Sequence, residues 1–224
     1  MPRFIRHIVG PRVPAEELEH HGWRYAVPSI ILSIARVLLL VSIFLPYWHM
    51  TLVAPQYPNG LTIDAYVNQL TGDVREIDGL NHYIGMRSLS EGATLERTTS
   101  VWAIIAMVLL VEGAAWVHSR WAVLLALPAI FFPAGFLLDL FYWLNNFGQH
   151  LDPHAPLSSA VKPFTPPVLG EGTVGQFKTV ASAGIGLYVA AGCAILTIIA
   201  FYFHRRAYKP LLERTAATGA LCPA

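Results

Sequence analysis

Residues 27–47 read VPSIILSIARVLLLVSIFLPY, an apolar run interrupted by one charge, Arg36. Its length matches the roughly 20 residues that an α-helix needs to cross a bilayer core of about 30 Å. Three further runs have the same character, at 101–117, 121–144 and 180–203. Of the 224 residues, 54% are hydrophobic and 13% charged, and the mean hydropathy is +0.49, too apolar and too poor in charge for an ordinary soluble domain. The spacing predicts an all-α integral membrane protein with four transmembrane helices. The first run is read as retained, because it begins well inside the chain and ends at Leu45-Pro46-Tyr47-Trp48 without a small-x-small cleavage site.

Charge sets the orientation. Arg3, Arg6, Arg12, Arg24, Arg120, Arg205, Arg206, Lys209 and Arg214 flank the runs on one side. Arg75, Arg87, Arg97, Lys162 and Lys178 are spread over longer loops on the other. The positive-inside rule then places both termini in the cytoplasm. The segments become a lead-in at 1–26, an outer loop at 48–99, a Pro/Gly-rich outer loop at 145–178 and a cytoplasmic tail at 204–224. Cys193 in the fourth run and Cys222 in the tail leave no disulfide for the outer loops. A net charge of +1 gives no case for nucleic acid, and no phosphate loop, dinucleotide fingerprint or nucleophile elbow is present.

The first outer loop carries turn and strand signals. Asn59-Gly60 reads as a turn, Leu61, Ile63, Ala65 and Val67 alternate with polar residues, and Thr71-Gly72-Asp73 reads as a turn into a second short strand with Val74 and Ile77. A short helix capped by Asp78 is expected over 78–86. The second outer loop, with Pro163-Phe164-Thr165-Pro166-Pro167, is expected to be extended and to lie over the first. The whole is a helical membrane protein capped by a β-hairpin and a short helix.

Two sets of residues invite chemistry. His49 and Met50 follow the first run, His82 and Met86 are spaced i and i+4, and His150 and His154 follow the third run. A spacing of four on a helix brings two side chains about 5 to 6 Å apart at Cβ. Imidazole with thioether favours copper, particularly Cu(I), over magnesium or calcium. Against this, histidine and methionine in small loops commonly serve packing, and Pro153 breaks any helix between His150 and His154. The second set is Arg36, Glu112 and Asp139 within the apolar runs. Intramembrane charges are functional candidates. Arg36 and Glu112 fall at matching depth, roughly 9 to 13 Å from one boundary at the helical rise, so a register-fixing pair is an equal reading.

The runs Ala54-Pro55-Gln56-Tyr57-Pro58-Asn59-Gly60-Leu61, Gly72-Asp73-Val74-Arg75-Glu76-Ile77, Leu80-Asn81-His82-Tyr83-Ile84-Gly85-Met86 and Pro163-Phe164-Thr165-Pro166-Pro167-Val168-Leu169-Gly170 resemble a family of small bacterial multi-pass membrane proteins. That family is associated with copper-dependent respiratory systems, including maturation of nitrous oxide reductase. The resemblance implies a bacterial inner-membrane protein with copper as cofactor and His49, Met50, His82 and Met86 as candidate ligands. His150 and His154 lie outside the matching runs. It implies a partner in the membrane or periplasm, such as a cuproenzyme. The leading expectation is a copper-handling accessory protein on the outer face; the alternative is a non-catalytic subunit of a respiratory or monooxygenase complex. Transport through so thin a bundle and independent catalysis fit less well, since neither an internal repeat nor a nucleophile–base arrangement is visible.

Overall fold

The computed structural model describes residues 13–118, 121–157, 160–174 and 176–217. Arg3, Arg6, Arg12, Arg120 and Cys222 lie outside the described residues. In chain order the elements are α1 (Ala15–Ser42), β1 (Trp48–Ala54), β2 (Tyr57–Ala65), β3 (Leu70–Gly72), α2 (Val74–Ile84), α3 (Thr94–Trp116), α4 (Ala122–Gln149), β4 (Gly170–Val174), β5 (Phe177–Ala183) and α5 (Ile185–Ala217). Helices α1, α3, α4 and α5 are each long and apolar enough to cross a membrane. Their surfaces expose large apolar side chains such as Val37, Leu109, Phe131, Leu138 and Ile195. Water would penalise such a surface and lipid does not.

The chain divides into two compact units. Val41–Ala103 and Pro133–Val189 make one; the described parts of Met1–Leu40, Ile104–Phe132 and Ala190–Ala224 make the other.

The all-α expectation is overturned. The first of these units contains a five-stranded antiparallel sheet in the order β3-β2-β1-β5-β4. The hairpin expected within the first outer loop forms between β2 and β3, with its turn at 66–69 in place of Thr71-Gly72-Asp73, and β1 and β2 make a further hairpin with its turn at Pro55-Gln56. Strand β1 carries Trp48, Met50, Leu52 and Ala54 on a buried face, with His49, Thr51 and Val53 on the other. That alternation is the signature of a strand covered on one side. Asn59-Gly60 lies inside β2, where the pairing with β1 slips between Leu52 and Ala54. Gly60, at φ +78, supplies the left-handed backbone that such a bulge needs.

Val74 and Ile77, expected on a second strand, are helical and belong to α2. The helix starts at Val74, ahead of the Asp78 cap that the sequence suggested. The Asp78 carboxylate instead accepts the backbone N–H of Leu89 at 2.7 Å and so ties the following turn to the helix.

The second outer loop contributes more than an extended cover. Its last residues form β4 and β5, and β5 pairs with β1 from Trp48↔Ala183 to Val53↔Lys178. Ala181, Ser182 and Ala183 belong in sequence to the fourth apolar run, 180–203, yet they are strand, and α5 begins only at Ile185. Ile77 of α2 and Leu144 of α4 are buried with the inward strand residues, and Phe136, Leu140 and Val168 pack around them.

A clamp joins the start of β1 to the start of α5. Tyr47 is fully buried. Its N–H donates to Ala65 O at 2.8 Å, and its carbonyl accepts the N–H of Gly184 at 2.9 Å. Pro46 O accepts the N–H of Gly186 at 2.7 Å. A methyl group at Gly186 would lie 2.6 Å from Tyr47 Cδ2 and 2.7 Å from Leu45 O, with backbone on one side and a buried ring on the other. Gly186→Ala is therefore expected to destabilise the fold by about 1–3 kcal/mol through overpacking. Thermal unfolding of the detergent-solubilised protein measures it, with Gly192→Ala, where an added methyl meets nothing within 4 Å, as the reference for the helix-propensity gain that both changes carry.

Candidate functional site

The sheet presents one solvated face. His49 and Asp64 are direct cross-strand partners there, as are Thr51 and Thr62, and His49 and Ser182. His49 Nδ1 lies 2.7 Å from Asp64 Oδ1, and its Nε2 lies 3.3 Å from Thr51 Oγ1. Lys178 and Glu171 form an ion pair at 2.9 Å on the same face. This surface is polar, half-exposed and internally hydrogen-bonded.

Strand periodicity separates His49 from Met50. Neighbouring residues on a strand point to opposite faces, and Met50 is buried in the core with Leu52, Ile63 and Ala181. His82 and Met86 are separated for a different reason. Helix α2 ends at Ile84, and Gly85 adopts a left-handed φ of 80°. Its N–H donates to His82 O at 3.3 Å, while Met86 N–H donates to Asn81 O at 2.9 Å, a Schellman ending. Met86 is thus outside the helix, so the i, i+4 relation that would align it with His82 no longer holds. Met86 packs with Ile84 and Phe147 in a second apolar cluster, and His82 is exposed.

The second loop docks against this helix end, because Asp152 N–H donates to Gly85 O at 2.8 Å and Leu157 N–H to Tyr83 O at 3.0 Å. The Asp152 carboxylate accepts the His154 N–H at 2.9 Å, with His154 Nδ1 at 3.3 Å. The backbone N–H of His154 is the first cause holding the Asp152 carboxyl below its ordinary range, with smaller contributions from the His154 and His82 rings. His150 points its Nδ1 at Asn146 O, 2.9 Å away, and stays exposed. His82, Asp152 and His154 are neighbours, yet among the described residues no group of three or more His, Cys, Asp or Glu side chains is arranged to hold a metal ion.

The intramembrane charges resolve into a pair and a single. Arg36 of α1 forms an ion pair with Glu112 of α3. Arg36 also donates to Ser33 Oγ at 2.6 Å, and Trp116 Nε1 donates to Glu112 Oε1 at 2.8 Å. Each charge therefore has both a counter-charge and a further polar partner, as a register-fixing pair requires. Asp139 is half-buried on α4, in the other unit.

No motif in the sequence marks His118 or His204. They come together with Tyr208 through contacts between residues far apart in the chain, and no local spacing announces them. The His118 ring is stacked on Tyr208 with centroids 4.1 Å apart.

These features define a class: a membrane protein with four spanning helices whose inter-helix segments build an antiparallel sheet with one polar, solvated face. Comparison with models of protein families, with curated proteins and with solved structures finds no match.

Burial depresses the basicity of His118. The unfolded chain therefore binds a proton there that the fold resists, so this group's penalty is absent above the ordinary imidazole range. It grows as the pH falls below about 6.5 towards the lower folded value. Thermal stability should decline over that acid window, and His118→Phe should flatten the decline. An unchanged slope in the variant would show that His118 is not the group responsible.

Proposed function

We propose that the chain is a non-catalytic accessory component of a bacterial membrane assembly, anchored by its four helices and docking a protein partner on the solvated face of its sheet. The observation that carries this reading is the contrast between the two faces. One is filled by Trp48, Met50, Leu52, Ile63, Ile77 and Leu144. The other displays His49, Asp64, Thr51, Lys178 and Glu171 in a hydrogen-bonded, half-exposed array. A rigid sheet of paired polar side chains suits recognition, where polar contacts set orientation and on-rate.

The distribution of basic flanking residues supports cytoplasmic termini and a sheet on the opposite, periplasmic side of the inner membrane. The resemblance to proteins of copper-dependent respiration supports a respiratory or monooxygenase complex, or a cuproenzyme, as the partner. Copper handling by the outer loops has thinner support. Met50 and Met86 are core residues in two separate apolar clusters, and both nitrogens of His49 already have partners.

Gentle detergent extraction from native membranes tests the reading. The chain should migrate with a partner through size exclusion, and Lys178→Glu should lower that recovery several-fold while costing the fold no more than about 1 kcal/mol through loss of the exposed pair with Glu171. A free monomer at every stage of purification would overturn the assignment.

A further inference from the structure

Where α1 begins and α5 ends, the two helices border a cavity of about 350 Å³, lined by His20, His21, Arg24 and Tyr25 of α1 and by Pro210 and Arg214 of α5. Its volume falls in the range of about 300–1,000 Å³ that small-molecule sites occupy. Glu17 also lines it, and positions 17, 20, 21 and 24 follow the i, i+3, i+4, i+7 spacing of one helix face.

The sequence of α5 explains why Arg24 is held there. Pro210 has no N–H, so the carbonyl four residues earlier, Arg206 O, loses its helical donor. Arg24 Nη2 donates to that oxygen at 2.7 Å. The guanidinium is thereby pinned at the cavity wall with further N–H donors to offer. Among the described residues it has no carboxylate partner. The Glu17 carboxylate is already engaged, since it accepts the Tyr25 hydroxyl at 2.7 Å and pairs with Arg214. With neutral imidazoles the lining therefore carries one net positive charge, that of Arg24. A planar fork of N–H donors beside two imidazoles suits the oxygens of a phosphate group.

Depth in the membrane favours one source of that phosphate. Arg24 stands three residues before the apolar run that opens at Val27, about 5 Å at the helical rise. That is within the polar layer of about 5–8 Å on each side of the bilayer core. Trp23, its neighbour in sequence, is 75% exposed, as an interfacial anchor is. Basic pockets between spanning helices at this level take phosphorylated headgroups. We propose that the cavity is a headgroup site for one anionic phospholipid, with Arg24, His20 and His21 donating to its phosphate. The site shares no residue with the docking face of the sheet and does not depend on it.

Calorimetric titration of the full chain in non-ionic detergent with short-chain phosphatidylglycerol tests this, beside parallel titrations with short-chain phosphatidylcholine and with inorganic phosphate. Saturation at one phosphatidylglycerol per chain is expected, with much weaker binding of the other two. Arg24→Gln should weaken it at least about 10-fold, the factor that one charge-assisted hydrogen bond is worth. His20→Ala/His21→Ala, which removes two exposed side chains, should weaken it at least about 3-fold and decides the matter if the Arg24 variant does not fold. Arg205→Gln, on the same stretch of α5 but outside the cavity lining, should bind like the parent. The site is overturned by non-saturating binding, by equal affinity for phosphatidylcholine, by parent affinity in the folded cavity variants, or by a loss in Arg205→Gln as large as in those variants, which would mark diffuse surface attraction. Inorganic phosphate binding as tightly as the lipid would overturn the headgroup assignment in favour of a free phosphate compound.

Discussion

Strand β1 is paired on both edges, to β2 on one side and to β5 on the other, and the rest of the unit depends on that double pairing. Five residues separate α1 from β1 at the centre of the sheet, and one residue separates β5 from α5. There is no slack at either junction. Backbone groups that would be orphaned where helix gives way to strand are instead bonded across the junction, Tyr47 to Ala65 and Gly184, Pro46 to Gly186. Such satisfaction matters most close to lipid, where water is scarce. Glycine is needed at Gly184 for a plain steric reason, since a side chain there would run into the carbonyl of Pro46.

From this clamp the functional geometry follows. Because β1 alternates, fixing Trp48, Met50 and Leu52 inward turns His49 and Thr51 outward to meet Asp64 and Thr62. The covered face is occupied by α2 and by the 136–144 stretch of α4, which leaves the outward face free to be polar. An accessory, docking role uses just this division. Among the polar groups of the other unit are the Arg36–Glu112 pair and the His118, His204 and Tyr208 cluster. Polar groups in apolar surroundings are costly, so each calls for its own physical account.

The four apolar runs were legible because hydropathy over some twenty residues is a strong and local signal. The sheet was only half legible. Leu61, Ile63 and Ala65 announced β2 by their alternation, and the same period in Trp48, Met50, Leu52 and Ala54 was open to reading. It was obscured because His49-Met50 has the look of a ligand pair, a reading that strand alternation removes. Strand β5 was hidden more deeply, since Val180 to Ala183 is continuous in hydropathy with α5, and only pairing with β1 separates the two. Met86 misled through Gly85, whose left-handed turn ended the helix before the fourth residue was reached. Arg36 and Glu112 could be matched by depth alone, whereas His118 and His204, on separate elements and far apart in sequence, could be matched only in three dimensions.

Disulfide trapping across β1 and β5 probes the double pairing most directly. In a background with Cys193 and Cys222 replaced by serine, Thr51→Cys with Val180→Cys places two thiols at directly paired positions on the solvated face. Thr51→Cys with Thr179→Cys places them on opposite faces, because a shift of one residue along a strand reverses the side chain. Rapid and near-complete oxidation of the first pair, with none of the second, is the outcome that β1–β5 pairing in this register requires. Equal cross-linking of both pairs, or of neither, would contradict it.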